Sequence, residues 1–198
     1  MDSLQEWYGN PFDLDIVFKF LEAVPKEKRS DKRVHELLIT WVFAKFLSSR
    51  KKKVFFIGLP TYEKSDSTSI EEYIFKEKLI DEEFDTILID KDDSEHPIYF
   101  QIKRLRDDHS VNTKKLFDYI FSKVKLYGKD KKLNVIFDIQ APQIELNLNE
   151  FKVYLENNTF EVGGIFIFGR KGNPPDQIPF IMSVYPVFDG LLWMPSDS

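Results

Sequence analysis

The chain contains no cysteine. That excludes a disulfide framework and any thiolate metal site, and it fits a reducing compartment. It also lacks a run of about 18 consecutive apolar residues, so no membrane-spanning helix is expected. The opening Met1-Asp2-Ser3-Leu4-Gln5-Glu6 has no basic stretch followed by an apolar one. No secretory signal is therefore expected, and a soluble cytoplasmic protein is the default. Cations are the minority charge: 28 Lys and Arg face 33 Asp and Glu, a formal net charge of −5. A general basic nucleic-acid coat is excluded by that balance. Nucleic acid would have to meet local patches such as Arg50 to Lys53, Arg104 with Arg106, Lys114 with Lys115, or Lys129, Lys131 and Lys132. Taken one at a time, such patches read as solvated helix ends and loops. No Gly-rich phosphate loop or Ser-centred hydrolase elbow is present, and His35, His96 and His109 lack metal-ligand spacing.

What the chain has is a core. Of its 198 residues, 42% are hydrophobic and 19 are Phe, against only 8 Gly and 10 Pro. That reads as a packed globule of one domain over 1–198, with a core over about 30–140 and a C-terminal elaboration over about 141–198. A short helix is expected over about 11–24, ended by Pro25. Ser30 or Asp31 caps the next helix, which carries Val34, Leu37, Leu38, Trp41, Val42 and Leu47 and stops near 48–50. A strand over 54–57 and a short helix over 70–78 follow. Asn112 or Thr113 starts an amphipathic helix with Leu116, Phe117, Ile120, Phe121 and Val124 on its buried face, closed by Gly128. The near-continuous apolar run from Leu133 to Ile139 suggests a strand buried on both faces and partly parallel pairing. Asn147 with Glu150 has capping-box spacing. Strands over 165–168 and 178–185 form a second hairpin. Gly163-Gly164 reads as a bulge or turn. The aromatic ends, Trp7, Tyr8, Phe12 and Trp193 with Met194, read as docked tails. The class is α/β, a mixed central sheet flanked by helices with an additional C-terminal helix and hairpin.

One hairpin carries the chemistry. Its strands run Phe84-Asp85-Thr86-Ile87-Leu88-Ile89 and Ile98-Tyr99-Phe100-Gln101-Ile102-Lys103, joined by a polar segment over 90–97 that is too long for a two-residue turn. Gln101 and Lys103, two apart on a strand, share a face. Antiparallel pairing brings Asp85 towards them. A carboxylate, an amide oxygen and an ammonium on one patch suit cleavage of a phosphodiester. The same acid and lysine can equally form an ordinary cross-strand ion pair. Asp138 and Gln140, on the buried strand, either face the site or make a structural hydrogen bond, and the second is the better reading.

This order of elements, with an acid on the second strand and a Lys-terminated motif on the third, resembles the PD-(D/E)xK nuclease superfamily. The resemblance covers roughly 30–140 and implies a restriction endonuclease-like αβββαβ core. The second-strand Asp of that superfamily maps onto Asp85, and its (D/E)xK maps onto Gln101-Ile102-Lys103. Phe84 stands where Pro is usual, and Gln101 replaces the usual acid. Gln-x-Lys is similar to the Mrr-like branch, which acts on modified DNA. Glu36, in Val34-His35-Glu36-Leu37-Leu38, fits the Glu that many members carry on the first core helix.

The resemblance implies a Mg²⁺- or Mn²⁺-dependent DNA endonuclease in restriction or another defence role, with DNA as partner and a homodimer as the common assembly. Mg²⁺ takes hard oxygen ligands. Asp85 is then the main anionic ligand, Gln101 and the Ile102 carbonyl add neutral oxygens, and Glu36 adds a second charge. Lys103 orients the water and stabilises the developing charge. Losing one negative charge at Gln101 lowers metal affinity unless Glu36 compensates. The competing reading is a catalytically inactive protein of the same fold that binds another protein as an immunity or assembly module, motivated by the neutral Gln101 and the acidic balance.

Overall fold

The computed structural model describes residues 11–59, 69–75, 85–127, 133–171 and 178–186. The chain divides into two compact units, Met1–Phe100 and Gln101–Ser198.

The first unit runs β1 (Phe12–Asp13), α1 (Leu14–Ala23), a 3-10 turn at Lys26–Lys28, α2 (Lys32–Lys51), β2 (Phe55–Gly58), α3 (Ile70–Phe75), β3 (Thr86–Asp90) and the opening part of β4 (Asp93–Arg106). Both long helices begin on an aspartate cap, where a carboxylate answers an amide with no partner inside the helix. Asp13 accepts from the Asp15 N–H at 2.7 Å, and Asp31, not Ser30, accepts from the Arg33 N–H at 2.8 Å. α2 ends where Lys52 turns left-handed at φ 53° and donates its N–H to the Ser48 carbonyl at 2.9 Å. The basic tail of α2 thus sits at the negative end of the helix dipole. α2 is buried around most of its circumference, Val34, Leu37, Ile39, Val42 and Phe43 among its covered residues, and it packs on α1, β2 and β3. Phe43 meets Phe100 edge-on at 4.7 Å. β1, β2, β3 and β4 pair antiparallel in sequence order. Phe12 is buried in β1. The other terminal aromatics, Trp7, Tyr8 and Trp193 with Met194, lie outside the described residues, as do Phe84 and Gly128.

The β3–β4 connection corrects the sequence reading. The segment over 90–97 is not one long loop: Asp90 pairs with Asp93 across a two-residue turn of Lys91 and Asp92, and residues 93–97 already belong to β4. The turn is built by Asp90. Its carboxylate accepts from the Asp92 N–H at 3.0 Å and from the Lys53 ammonium, while the Lys91 N–H donates to the Val54 carbonyl at 2.9 Å. Lys53 and the Asp92 N–H hold the Asp90 carboxyl below the usual carboxylate range. The extra β4 residues are absorbed by a register shift between Leu88 and Asp90, which is how a sheet accommodates unmatched strand lengths.

The second unit holds the rest of β4, then β5 (Ser110–Asn112), α4 (Thr113–Val124), a 3-10 turn at Lys125–Tyr127, β6 (Leu133–Gln140), β7 (Gln143–Glu145), α5 (Leu148–Glu156), β8 (Gly164–Lys171) and β9 (Ile178–Tyr185). β6 and β8 are parallel and β8 and β9 antiparallel, so the parallel pairing expected of the Leu133–Ile139 run is present. Val135, Phe137 and Ile139 meet Leu116, Phe117, Ile120 and Val124 of α4 and Phe151 and Leu155 of α5 in one core. The alternate residues Ile136 and Asp138 are also buried, so β6 is covered on both faces. Asn112 caps α4, accepting from the Lys115 N–H at 2.9 Å. Asn147 caps α5, accepting from the Asn149 and Glu150 N–H groups at 3.2 Å. Glu150 does not close the reciprocal box, because its carboxylate takes the Tyr154 hydroxyl at 2.8 Å. At the start of β8 a side chain at Gly164 would come within 2.6 Å of the Asn134 amide oxygen, which is the reason for glycine there. A short parallel ladder of β5 and β7, not foreseen from sequence, leads into the starts of α4 and α5.

Within the first unit the strand order is β1-β2-β3-β4, and within the second β6-β8-β9, with antiparallel and parallel pairs both present and helices flanking the strands. No helix among the described residues is long and apolar enough to cross a membrane.

Candidate functional site

In the first unit, Asp85 stands one residue before β3. The last described ladder pair is Thr86 with Phe100, and the Asp85 N–H donates to the Phe100 carbonyl at 2.7 Å. Two successive residues of the incoming strand therefore address one residue of β4, an irregular strand start of the kind that re-aims a side chain. The acid is fixed by its backbone beside the residue that precedes Gln101 in the chain. Thr86 is buried, and its hydroxyl donates to the Gly58 carbonyl at 3.3 Å. Glu36 lies within α2 among the buried Val34, His35 and Leu37. Its side chain is 14% exposed, and its carboxylate sits 3.6 Å from the Lys32 ammonium one turn back. Glu36 is thus a rim acid on the helix that covers β2 and β3.

In the second unit, Gln101 and Ile102 are buried and Lys103 is partly exposed. Strand alternation sets Gln101, Lys103 and Leu105 on one face of β4, with Ile102 and Arg104 on the other. The Lys103 ammonium lies 5.5 Å from the centre of the Tyr127 ring, within cation–π range, and forms no ion pair among the described residues. The Tyr127 hydroxyl is buried and has no hydrogen-bond partner among the described residues. A buried polar atom left this way calls for a water or ligand partner.

Arg104 has a different setting. Its guanidinium donates to Asp138 at 3.1 Å, Gln140 donates to the same carboxylate oxygen at 2.7 Å, and the Tyr119 hydroxyl donates to the Arg104 carbonyl at 2.8 Å. The Asp138 side chain is 2% exposed. Burial, then the Asp138 charge, push the Tyr119 phenol above its ordinary value. Asp138 and Gln140 do form the structural hydrogen bond read from the sequence. Tyr127, in the 3-10 turn after α4 and partly buried against the core, was missed, since nothing in its local sequence marks it. Among the described residues, no group of three or more His, Asp or Glu side chains is placed to hold a metal ion.

Compared with known proteins, the chain matches no family model, no curated protein and no solved structure.

Proposed function

We propose that this protein is a Mg²⁺- or Mn²⁺-dependent endonuclease that hydrolyses DNA phosphodiester bonds, of the restriction endonuclease-like αβββαβ kind. The element order α2, β2, β3, β4, α4, β6, with α3 interposed before β3 and the short β5 before α4, supports that core. The observation that carries the reading is the amide of Asp85 bonded to the Phe100 carbonyl. It ties the acid to the strand that continues into Gln101-Ile102-Lys103. The donor set also suits the metal: carboxylate, amide and backbone oxygens with water completing the shell are what Mg²⁺ accepts. In this reading Asp85, Gln101, Ile102 and Glu36 hold the ion. When bound, it would polarise the phosphate and acidify a coordinated water. Lys103, steadied by the Tyr127 ring, supplies a positive charge where negative charge accumulates on the phosphate oxygens.

The test is incubation of supercoiled plasmid, methylated and unmethylated, with Mg²⁺ or Mn²⁺. Wild-type protein nicks or linearises at least one of the DNAs, and Lys103→Ala cuts about 10²–10³-fold more slowly, the usual cost of removing one group that stabilises transition-state charge. Calorimetry shows Mg²⁺ binding that Asp85→Ala removes. Equal cutting by wild type and Lys103→Ala, or no cutting and no metal binding, sinks the reading and leaves the protein-binding module.

A further inference from the structure

We propose that the C-terminal end of α4 is a contact surface for a single-stranded polynucleotide, with Lys123 and Lys125 holding phosphates and the adjoining cleft receiving one unstacked base. The choice of a polynucleotide rests on the nuclease reading, while the geometry stands independently of it. The lysines of α4 fall into two groups. Near the helix start, Lys114 pairs with Asp118 at 2.6 Å and Lys115 pairs with Asp107. Near the helix end, Lys123 and Lys125 form no ion pair among the described residues. Each instead lies over the ring one turn back, Lys123 at 5.6 Å from Tyr119 and Lys125 at 4.0 Å from Phe121. A lysine over a ring is biased towards that placement by about 0.5–1 kcal/mol, and it keeps its three N–H donors for a phosphate. The helix end carries about half a negative charge, which two whole positive charges outweigh. The two lysines flank opposite sides of the helix, about 10–12 Å across, a span that a short stretch of polynucleotide backbone bridges.

Beside Lys125 opens a cleft of about 520 Å³. Phe121, Val124 and Phe160 give it an apolar floor, Asn157, Asn158 and Thr159 give it polar walls, and Glu161 also lines it, so the base and not a phosphate belongs in the cleft. The Asn158 amide already donates to the Tyr154 carbonyl at 2.7 Å, which fixes that wall. An apolar seat with a few placed amides and hydroxyls suits a flat, hydrogen-bonding base turned out of a strand. A duplex keeps its bases stacked and cannot use it.

Fluorescence anisotropy with fluorescein-labelled oligo-dT and oligo-rU of about 15 nucleotides, near the upper site size of single-strand binders, tests this in EDTA, without metal or cutting. The wild type binds at least one of them, and the preferred sugar tells DNA from RNA. Lys123→Ala/Lys125→Ala lowers that affinity roughly tenfold and flattens the log–log salt slope by about 1.4, two phosphates at about 0.7 each. Thr159→Trp, which fills the cleft from its rim, weakens binding without changing the slope. Circular dichroism melting confirms that all variants fold. Wild type that binds neither strand, a double variant with unchanged slope, or unlabelled duplex that competes as well as single strand overturns the proposal. Because no catalysis is read, loss of this surface and loss of the nuclease reading are separate results.

Discussion

Lys103 and Arg104 are chain neighbours on β4, and they have opposite settings. Arg104 is fixed by Asp138, a carboxylate that also takes Gln140, and its own carbonyl takes Tyr119. Lys103 rests on the Tyr127 ring with no ion pair among the described residues. Alternation along a strand sends the two side chains to opposite faces, so one residue of offset separates a cation spent on structure from a cation held ready. Counting basic residues in the sequence cannot separate them; Arg104 with Arg106 reads there as one patch. The side-chain partners decide, and Asp138 of β6 and Tyr127 of the 3-10 turn after α4 both lie far along the chain from β4.

The sharpest way to break the comparison is at Asp138. Removing one member of a buried ion pair strands the other, at a cost of about 3–5 kcal/mol. Arg104 keeps a 21% exposed side chain and so recovers some hydration, which puts Asp138→Ala near the lower end of that range. Chemical denaturation measures it. Arg104→Met/Asp138→Leu should regain most of the loss, because replacing both charges with apolar groups removes the stranded cation. A cost for Asp138→Ala below about 1 kcal/mol would mean that the pair is not a structural anchor. Lys103→Ala sharpens the other side: it forfeits only a cation–π contact, about 0.5–1 kcal/mol of stability, while the cutting assay falls by orders of magnitude. Large losses in both stability and activity would place Lys103 with Arg104, as structure.

The same rule explains what was legible beforehand. Two helix starts were readable because a cap is a local event: Asp31, one of two candidates, and Asn147 each bond an amide two or three residues on. The first start was not: Pro11 reads as a first helical turn, but Phe12–Asp13 pairs as a strand and Asp13 caps the helix at Leu14. The buried β6 was readable because burial on both faces leaves a continuous apolar run. The β3–β4 turn was misread because Asp93, Ser94, Glu95 and His96 carry no apolar alternation, although they open a strand. The β5–β7 ladder was missed because three-residue strands show no period. At the candidate site the sequence placed Asp85, Gln101 and Lys103 on one hairpin and read a structural role for Asp138. It could not supply Tyr127 beneath Lys103 or Lys32 beside Glu36 as functional context, since both depend on side-chain reach.

Acid separates the paired cations from the ring-bound ones. The Lys115 ammonium, then the His109 N–H, hold the Asp107 carboxyl below its ordinary value. A carboxyl lowered by folding contributes stability that is fully present above its unfolded pKa, near 3.9, and is lost as pH falls through the lower folded value. The advantage of wild type over Asp107→Asn in denaturation midpoint should therefore be present while Asp107 is ionised in both states and shrink progressively in stronger acid. Lys123→Ala should show no such acid-dependent difference, since no carboxylate among the described residues pairs with it. A gap between wild type and Asp107→Asn that does not change down to pH 2 would contradict the pairing.

The smallest effect belongs to Lys114. Its ion pair with Asp118 spans one turn of α4, with both side chains mostly exposed, 70% and 59%. Lysine preceding the acid is the weaker order for such a pair, and a cation in the first turn opposes the positive end of the helix dipole. These two terms have similar size and opposite sign. Lys114→Ala should therefore leave the melting temperature within about 1 °C of wild type, well inside the several degrees that a kcal/mol moves a chain of this size. Asp118→Ala should lower it slightly, because it leaves Lys114 facing the dipole alone, and salt should erase that difference by screening the exposed charges. A loss from Lys114→Ala that exceeds the loss from Asp118→Ala would show that Lys114 does more than answer its neighbour, and the contrast between the two ends of α4 would fail at the end where it is now simplest.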